Sequence, residues 1–462
     1  MDEFRRALQR ATDVIATYRE GLETARVKPS ASRSEVAAAL DAPLPDGPTP
    51  LHQVVDELVE KARPGLMASS GPRYFGFVVG GALDAALVAD LITSGWDQNG
   101  FNAALSPAAI AFEDGAGRWL KELLHLPATG SVGFVTGAQA ANTVGLAAGR
   151  HHVLTQRGWD VARDGLFGAP RIRVLACAER HATIDRALRL LGIGEGALTA
   201  LPADGNGAMD VAALATALAE DIDRPTIVCA QAGNVNTGAC DDLERIAAAA
   251  HAASAWLHVD GAFGLWAAAN PRTYPLVAGL EVADSLACDG HKWLNVGYDV
   301  GYAFCAHPEI HAAAMAYAAA YLTGQVEGRA LGGGDFVLES SRRARGFATW
   351  AALRSLGKAG VAELVERCCR LARRLADGLD ALPDIDVVNA VVLNQVLVRV
   401  GDERLTDRAE QRIQDDGTCW LGATTWRGER LLRISVSNWA TTEADIDACV
   451  AAIAKARADA LD

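Results

Sequence analysis

The stretch VGFVTGAQAANTVGLAAGRHHVL, residues 132–154, sets a short apolar run directly before a glycine turn and an alanine-rich segment of helical character. The same order recurs downstream. IRVLACAE (172–179) precedes HATIDRALRLLG (181–192), TIVCAQAG (226–233) precedes LERIAAAAHAA (243–253), and AWLHVDGA (255–262) follows. Short β-branched or apolar runs alternating with helices predict an α/β fold, a mainly parallel sheet covered by helices on both faces. The flanks read differently. Residues 1–70 carry two amphipathic helix candidates, 3–20 and 51–66, around the proline-containing loop LDAPLPDGPTP. They are too few to enclose a core, so their apolar faces need another surface, with a second subunit as the candidate. After residue 345 a long helical pattern (346–382), the strands VVLNQVLVRV (391–400) and RLLRISVSN (430–438) and a final amphipathic helix predict a small α+β domain. The expected division is 1–70, 71–345 and 346–462.

Composition limits the function. A chain of 462 residues, half hydrophobic, buries a large core and reads as globular. A formal charge of −14 argues against nucleic acid or anionic membranes as partners. Nine cysteines without a CxxC pair suit a reduced, cytoplasmic protein. The first twenty residues are charged and lack the apolar core of a signal peptide, and no apolar run reaches membrane-spanning length. HExxH and GxSxG spacings are absent, so neither a zinc site nor a serine hydrolase is expected.

Several polar residues sit where strands should end, the edge at which open α/β sheets bind ligands. Asp260, in WLHVDGAFG, follows an apolar strand; it either caps the next helix or faces a cationic ring nitrogen. Lys292, after SLACDG and between His291 and Trp293, is the only lysine between Lys121 and Lys358. In an apolar site the neutral, nucleophilic amine is favoured; the alternative is a lysine whose stem packs while its head reaches water. A lysine and an aspartate together match the needs of pyridoxal phosphate: a Schiff-base amine and a carboxylate that keeps the pyridine nitrogen protonated. In TGAQAAN (136–142) the backbone N–H groups of Gly137, Ala138 and Gln139 can face a phosphate at a helix N-terminus. His181 could lie flat against an aromatic ring, although a lone histidine is more often structural. Asn234 and Asn236, taken alone, read as turn residues.

In this combination the chain closely resembles the group II pyridoxal phosphate-dependent amino acid decarboxylases, which include the aromatic amino acid and glutamate decarboxylases. The resemblance runs through RYFGFVVGG, SPAAIAFEDGAGRWLKELLHLP, TGAQAAN, ERHATIDRALRLLGIG, LHVDGAFG, ADSLACDGHKWLN, SSRRARGFATWAALRSLG and LRISVSNWATTEADID, nearly the whole length. It implies the fold type I architecture of aspartate aminotransferase: a seven-stranded, mainly parallel sheet with a small C-terminal domain. It also implies a homodimer with active sites at the interface, which would cover residues 1–70. By resemblance Lys292 is the Schiff-base lysine, Asp260 the partner of the pyridine nitrogen and His181 the ring-stacking histidine. His291, Asn234 and the turn Gly137, Ala138 and Gln139 hold the cofactor, and Phe77 and Phe101 line the substrate pocket. Trp266 is a further aromatic candidate, although such residues at strand ends are more often core.

The implied reaction is decarboxylation of an apolar or aromatic L-amino acid to its amine and CO2. Its alternatives are decarboxylation with oxidative deamination to an aldehyde, or transamination at the same site; a catalytically silent cofactor-binding protein is the remaining reading, disfavoured by the presence of Lys292. Some positions depart from the family. Ala138 and Gln139 stand where serine or threonine is common, and Asn234 where threonine is. Asp289 stands where asparagine or serine is common near the phosphate, so its carboxylate is expected to turn away. The family's loop tyrosine, which protonates the carbanion, has no counterpart after Tyr321 in the loop ending at Arg342. Phe336 falls near the expected place, and phenylalanine there accompanies aldehyde formation in relatives. Tyr317 and Tyr321 are the nearby phenols.

Overall fold

A computed structural model describes residues 2–316 and 331–461. Tyr317 and Tyr321, with much of the loop expected to carry the proton donor, lie outside the described residues. The chain begins with α1 (Asp2–Gly21), α2 (Arg33–Ala39) and α3 (Leu51–Ala62). Ser32 and Glu35 form a capping box at the start of α2, each satisfying a backbone N–H of the other. α1 and α3 lie against each other, yet Phe4, Leu8, Val54 and Leu58 remain exposed. Two further helices follow, α4 (Asp84–Trp96) and α5 (Pro107–Leu123), the latter capped by Ser106.

The large sheet is built from β1 (Ser131–Val135), β2 (Arg173–Cys177), β3 (Leu198–Leu201), β4 (Thr226–Gln231), β5 (Trp256–Asp260), β6 (Ser285–Asp289) and β7 (Gly301–Cys305). Its order is β1-β7-β6-β5-β4-β2-β3. Helices α6 (Ala138–Thr155), α7 (Val161–Asp164), α8 (Ala182–Leu190), α9 (Val211–Glu220) and α10 (Leu243–Ala252) intervene, and α11 (Pro308–Met315) follows β7. The central strands are buried along their whole length, as a sheet covered on both faces requires. Six strands run the same way; β7 alone opposes them, pairing antiparallel with both β1 and β6. The segment between β6 and β7 contains no α-helix, so the chain returns beside the strand it has just left, as antiparallel strands can. Because the other strands point one way, their C-terminal ends gather residues 136–139, 178–183, 231–235, 260–263 and 289–292 at one edge. There β7 crosses so close that a Cβ on Gly301 would overlap the Gly137 backbone, and one on Gly80 would overlap the Lys292 carbonyl.

The chain leaves this edge through RRAR (342–345), whose three arginines each take a carboxylate from a different element. Arg342 binds the Glu113 carboxylate of α5 through two nitrogens (2.5 and 2.6 Å), Arg343 pairs with Asp90 of α4 (2.8 Å) and Arg345 with Asp299 (3.1 Å). The long helix α12 (Gly346–Asp380) then begins; at Gly357 the backbone takes φ 61°, so the helix is two segments joined at a glycine. It packs on α4, α5 and α14 (Glu443–Leu461). The C-terminal part completes with α13 (Glu403–Asp416) and an antiparallel sheet, β10-β11-β9-β8, formed by β8 (Ile385–Val387), β9 (Gln395–Val400), β10 (Gly422–Trp426) and β11 (Glu429–Ser435).

Candidate active site

At the C-terminal edge of the sheet a cavity of about 400 Å³ is lined by, among others, Gly137, Ala138, Gln139, His181, Asp260, His291 and Lys292. The geometry is that of three groups set on one floor.

The first is the end of β5. Asp260 is buried, and its Oδ2 accepts hydrogen bonds from Asn142 Nδ2 (3.0 Å) and Thr183 Oγ1 (3.4 Å), while Oδ1 accepts from the Ala262 N–H (3.2 Å). Behind it a buried chain continues. Asn142 Oδ1 meets His258 Nε2 at 2.9 Å, His258 Nδ1 meets Ser285 Oγ at 2.9 Å, and Trp256 Nε1 donates to that same oxygen (2.9 Å). The donors fix the direction. Asn142 gives its Nδ2 to Asp260, so its Oδ1 faces His258 and accepts from Nε2–H; the Nδ1 of the neutral ring then accepts from the Ser285 hydroxyl, whose oxygen takes the Trp256 N–H. Burial pushes the His258 imidazole down to about 4, against the raising effect of Asp260, so the ring is neutral as this arrangement requires.

The second group caps α8. His181 Nδ1 lies 2.9 Å from Thr183 Oγ1 and accepts the Thr183 N–H (3.3 Å), which fixes the ring as an N-cap and turns its other nitrogen away from the helix. Desolvation by the surrounding walls holds this histidine below its ordinary value; Asp260 acts in the opposite direction.

The third is the anion cradle at the N-terminus of α6. A Cβ on Gly137 would come 2.9 Å from the His291 ring and 3.1 Å from Asp289 Oδ1, so glycine is needed for this approach. Asp289, expected to turn away, instead faces the cradle. Its Oδ1 accepts the Ala138 N–H (2.5 Å) and lies 3.5 Å from His291 Nε2, and its Oδ2 pairs with Lys292 Nζ (3.1 Å). The cause is the register: Asp289 is the last residue of β6, beside the β7 crossing that brings Gly137 close. Lys292 therefore sits beside a carboxylate, not in the apolar surroundings its sequence context suggested. His291 accepts the Val300 N–H on Nδ1 (3.2 Å) and lies under the Tyr298 ring, centroids 4.6 Å apart; burial lowers its pKa, opposed by Asp289.

Five residues singled out in the sequence lie outside the lining of the cavity. Asn234 is fully buried but folds a turn: its Oδ1 accepts the N–H groups of Asn236 and Thr237, and its Nδ2 donates to the Glu179 carbonyl. Phe77 is 64% exposed and stacks on Trp420, outside the lining of the cavity. Phe101 is buried, and its ring lies where a Cβ on Gly334 would fall. Trp266 is core, its indole donating to the Asp289 carbonyl (3.0 Å). Phe336, read as standing near the donor position, is buried with its ring 4.9 Å from His311. There it packs under β1, and residues 317–330 of the same loop lie outside the described residues. The expectation missed Asn142, Thr183, His258 and Tyr298. Asn142 lies one helical turn beyond Ala138, and His258 alternates with Asp260 along β5, so both shared a face with recognised residues.

The residues present suit pyridoxal phosphate. They combine an amine, a pinned carboxylate, an imidazole and a helix N-terminus. Gln231, at the cavity wall and paired in register with Asp260, also keeps a buried Nε2 without a partner among the described residues, a donor that a bound molecule can use.

Comparison with known proteins gives the same picture. The family described as the pyridoxal-dependent decarboxylase conserved domain matches residues 34–400. Tryptophan decarboxylase 1 of Oryza sativa subsp. japonica is 27% identical over 95% of this chain and 90% of its own. The 4-hydroxyphenylacetaldehyde synthase of Rhodiola rosea is 24% identical over 94% and 91%. The crystal structure of Oryza sativa TDC with PLP and tryptamine superimposes with a TM-score of 0.92 at 25% identity, covering 100% of this chain and 99% of the other.

Proposed function

Because the chain belongs to the pyridoxal-dependent decarboxylase family and is a pyridoxal phosphate-dependent carboxy-lyase, we propose that it converts an aromatic L-amino acid to its amine and CO2. The observation that carries this reading is the shared floor on which Lys292, the pinned Asp260 and the α6 cradle meet. Pyridoxal phosphate, when bound, supplies an electron sink for the bond to the departing carboxylate.

The chain's residues do the rest. Lys292 provides the amine that holds the cofactor and is later available to the product. Asp260, fixed by Asn142, Thr183 and the Ala262 N–H, holds a proton on the pyridine nitrogen. His181, locked as a cap, supports the ring face. The Gly137–Gln139 turn and His291 receive the phosphate. Phe263, Val235 and Ala262 in the wall limit water around the reacting carbon. Tyr298 adds a phenol to the same wall, a proton source within the cavity. That favours protonation of the product, hence the amine. Asn234 supports the cofactor indirectly, through the turn after β4, and Phe77 and Phe101 are proposed to meet substrate only in an assembled dimer.

A homodimer is supported by the exposed apolar side chains of α1 and α3, so residues 1–70 are proposed as the dimerising segment, with 71–345 carrying the cofactor and 346–462 as the small domain. The free thiol state of all nine cysteines supports a reducing, cytoplasmic location. Aldehyde formation is the second reading, favoured by the absence of tyrosine from 322–341 and by the likeness to the Rhodiola rosea protein. Incubation with each aromatic amino acid, measuring CO2, amine, aldehyde, ammonia and peroxide separately, tests both. Stoichiometric amine and CO2, abolished in Lys292→Ala, is expected; aldehyde with peroxide would overturn the amine reading, and no CO2 from any of them would overturn the aromatic one.

A further inference from the structure

The residue least explained by decarboxylation is Asp289. It is 2% exposed at the end of β6, and its carboxylate occupies donors that an anion at the α6 N-terminus would use. Oδ1 takes the Ala138 N–H at 2.5 Å and approaches His291 Nε2 at 3.5 Å; these are two of the groups proposed above to receive the phosphate. A phosphate entering this cradle meets a second negative charge already bonded to it. At such separations, and with little water between, like charges repel strongly. The neighbours only partly compensate. Lys292 Nζ is 3.1 Å from Oδ2, but this is the amine proposed to hold the cofactor, so it is least available as a counter-charge when the cofactor is in place. His291 is held below its ordinary pKa by burial, so its positive charge is weakened. Of the other titratable groups near the carboxylate, Cys288, Tyr298 and Tyr302 bring no positive charge, and His181, on which Asp289 also acts, is held below its ordinary pKa by desolvation. The Trp266 indole is committed to the Asp289 backbone carbonyl and leaves the side chain unassisted.

We propose that Asp289 is a built-in competitor for the phosphate of the cofactor, which makes cofactor loading weaker and more readily reversed than the donor set alone would give. The inference rests on the cofactor site proposed above. It predicts a specific signature, because the penalty falls on the phosphate and not on the ring or aldehyde. An asparagine at 289 still accepts the Ala138 N–H, and its amide can donate to a phosphate oxygen.

The test is equilibrium dialysis of the full-length protein and of Asp289→Asn against three probes: pyridoxal phosphate, pyridoxal and inorganic phosphate. Asp289→Ser serves as a second variant, and circular dichroism checks that each is folded. Asp289→Asn should bind pyridoxal phosphate and inorganic phosphate more tightly, on the order of tenfold, with pyridoxal altered less than about twofold. An equal gain for pyridoxal would overturn the proposal, since the effect would then act through Lys292. Unchanged or weaker binding of both phosphorylated probes would overturn it as well. Failure of the unaltered protein to bind pyridoxal phosphate would count against the proposed function instead, and the inorganic phosphate arm would still decide the role of Asp289.

Discussion

Replacing His258 with glutamine removes the titrating link in the hydrogen-bond chain that ends on Asp260. The imidazole is fully buried, and desolvation pushes its pKa from the ordinary 6.5 to about 4, with Asp260 opposing the shift. In the unfolded chain the same histidine takes up its proton near pH 6.5. Between pH 6.5 and 4 the unfolded state therefore binds more protons than the folded one, and stability falls as pH drops through that window. The contribution is complete above pH 6.5 and lost below 4. A gap of that size corresponds to about 3 kcal/mol. Glutamine does not titrate, and its amide can still donate to Asn142 Oδ1. Urea unfolding of both proteins across this range isolates the effect, because His311, also lowered to about 4, and Asp241, raised to about 7, contribute alike to each. The stability difference should shift against the histidine protein by about 3 kcal/mol on acidification. A difference that does not change with pH would show that His258 is not the buried neutral donor described here.

Asp260→Ala should retain part of its cofactor binding but lose turnover on the order of a hundredfold or more, measured as initial CO2 release; near-normal activity would contradict the role of the carboxylate. Glu113→Ala leaves the Arg342 guanidinium buried without its carboxylate and should cost about 3–5 kcal/mol in chemical unfolding, whereas Arg163→Ala, whose ion pair with Asp164 is on the surface, should leave the unfolding midpoint essentially unchanged. Phe336→Tyr should leave the ratio of amine to aldehyde unchanged, since the ring packs on His311, and should instead destabilise the fold by about 1–3 kcal/mol; a shift in products would return Phe336 to the reaction.

The fold was largely legible because its strands and helices alternate with clear boundaries. Five of the seven sheet strands announce themselves as apolar runs ending in polar turns. β3 does not, since Thr199 and Ala200 are exposed at the sheet edge. β7 was hidden for another reason: it follows β6 without an intervening helix, so the alternating rule gives it no place. The site was legible through residue types, lysine, aspartate, histidine and glycine, that chemistry selects. Its supports were not, because asparagine, serine and tryptophan acquire a role only through partners distant in sequence, as Asn142 and Asp260 do across 118 positions. The orientation of Asp289 was not legible because the α6 N-terminus it meets follows β1, 151 positions earlier, and is held against the end of β6 by the crossing of β7, which no local pattern predicts.

The backbone contacts at the sheet edge bear on how tolerance to substitution would be distributed. At Gly301 and Gly80 an added methyl group would strike main-chain atoms, which cannot move aside as a flexible side chain can. A saturation library screened for growth would score both positions as intolerant as Lys292, although neither glycine touches a reacting atom. Chemical rescue separates the classes. A small added amine can stand in for the side chain of a lysine-to-alanine variant, whereas nothing added in solution restores the space lost at a glycine, so the two kinds of essential residue part company in the same assay.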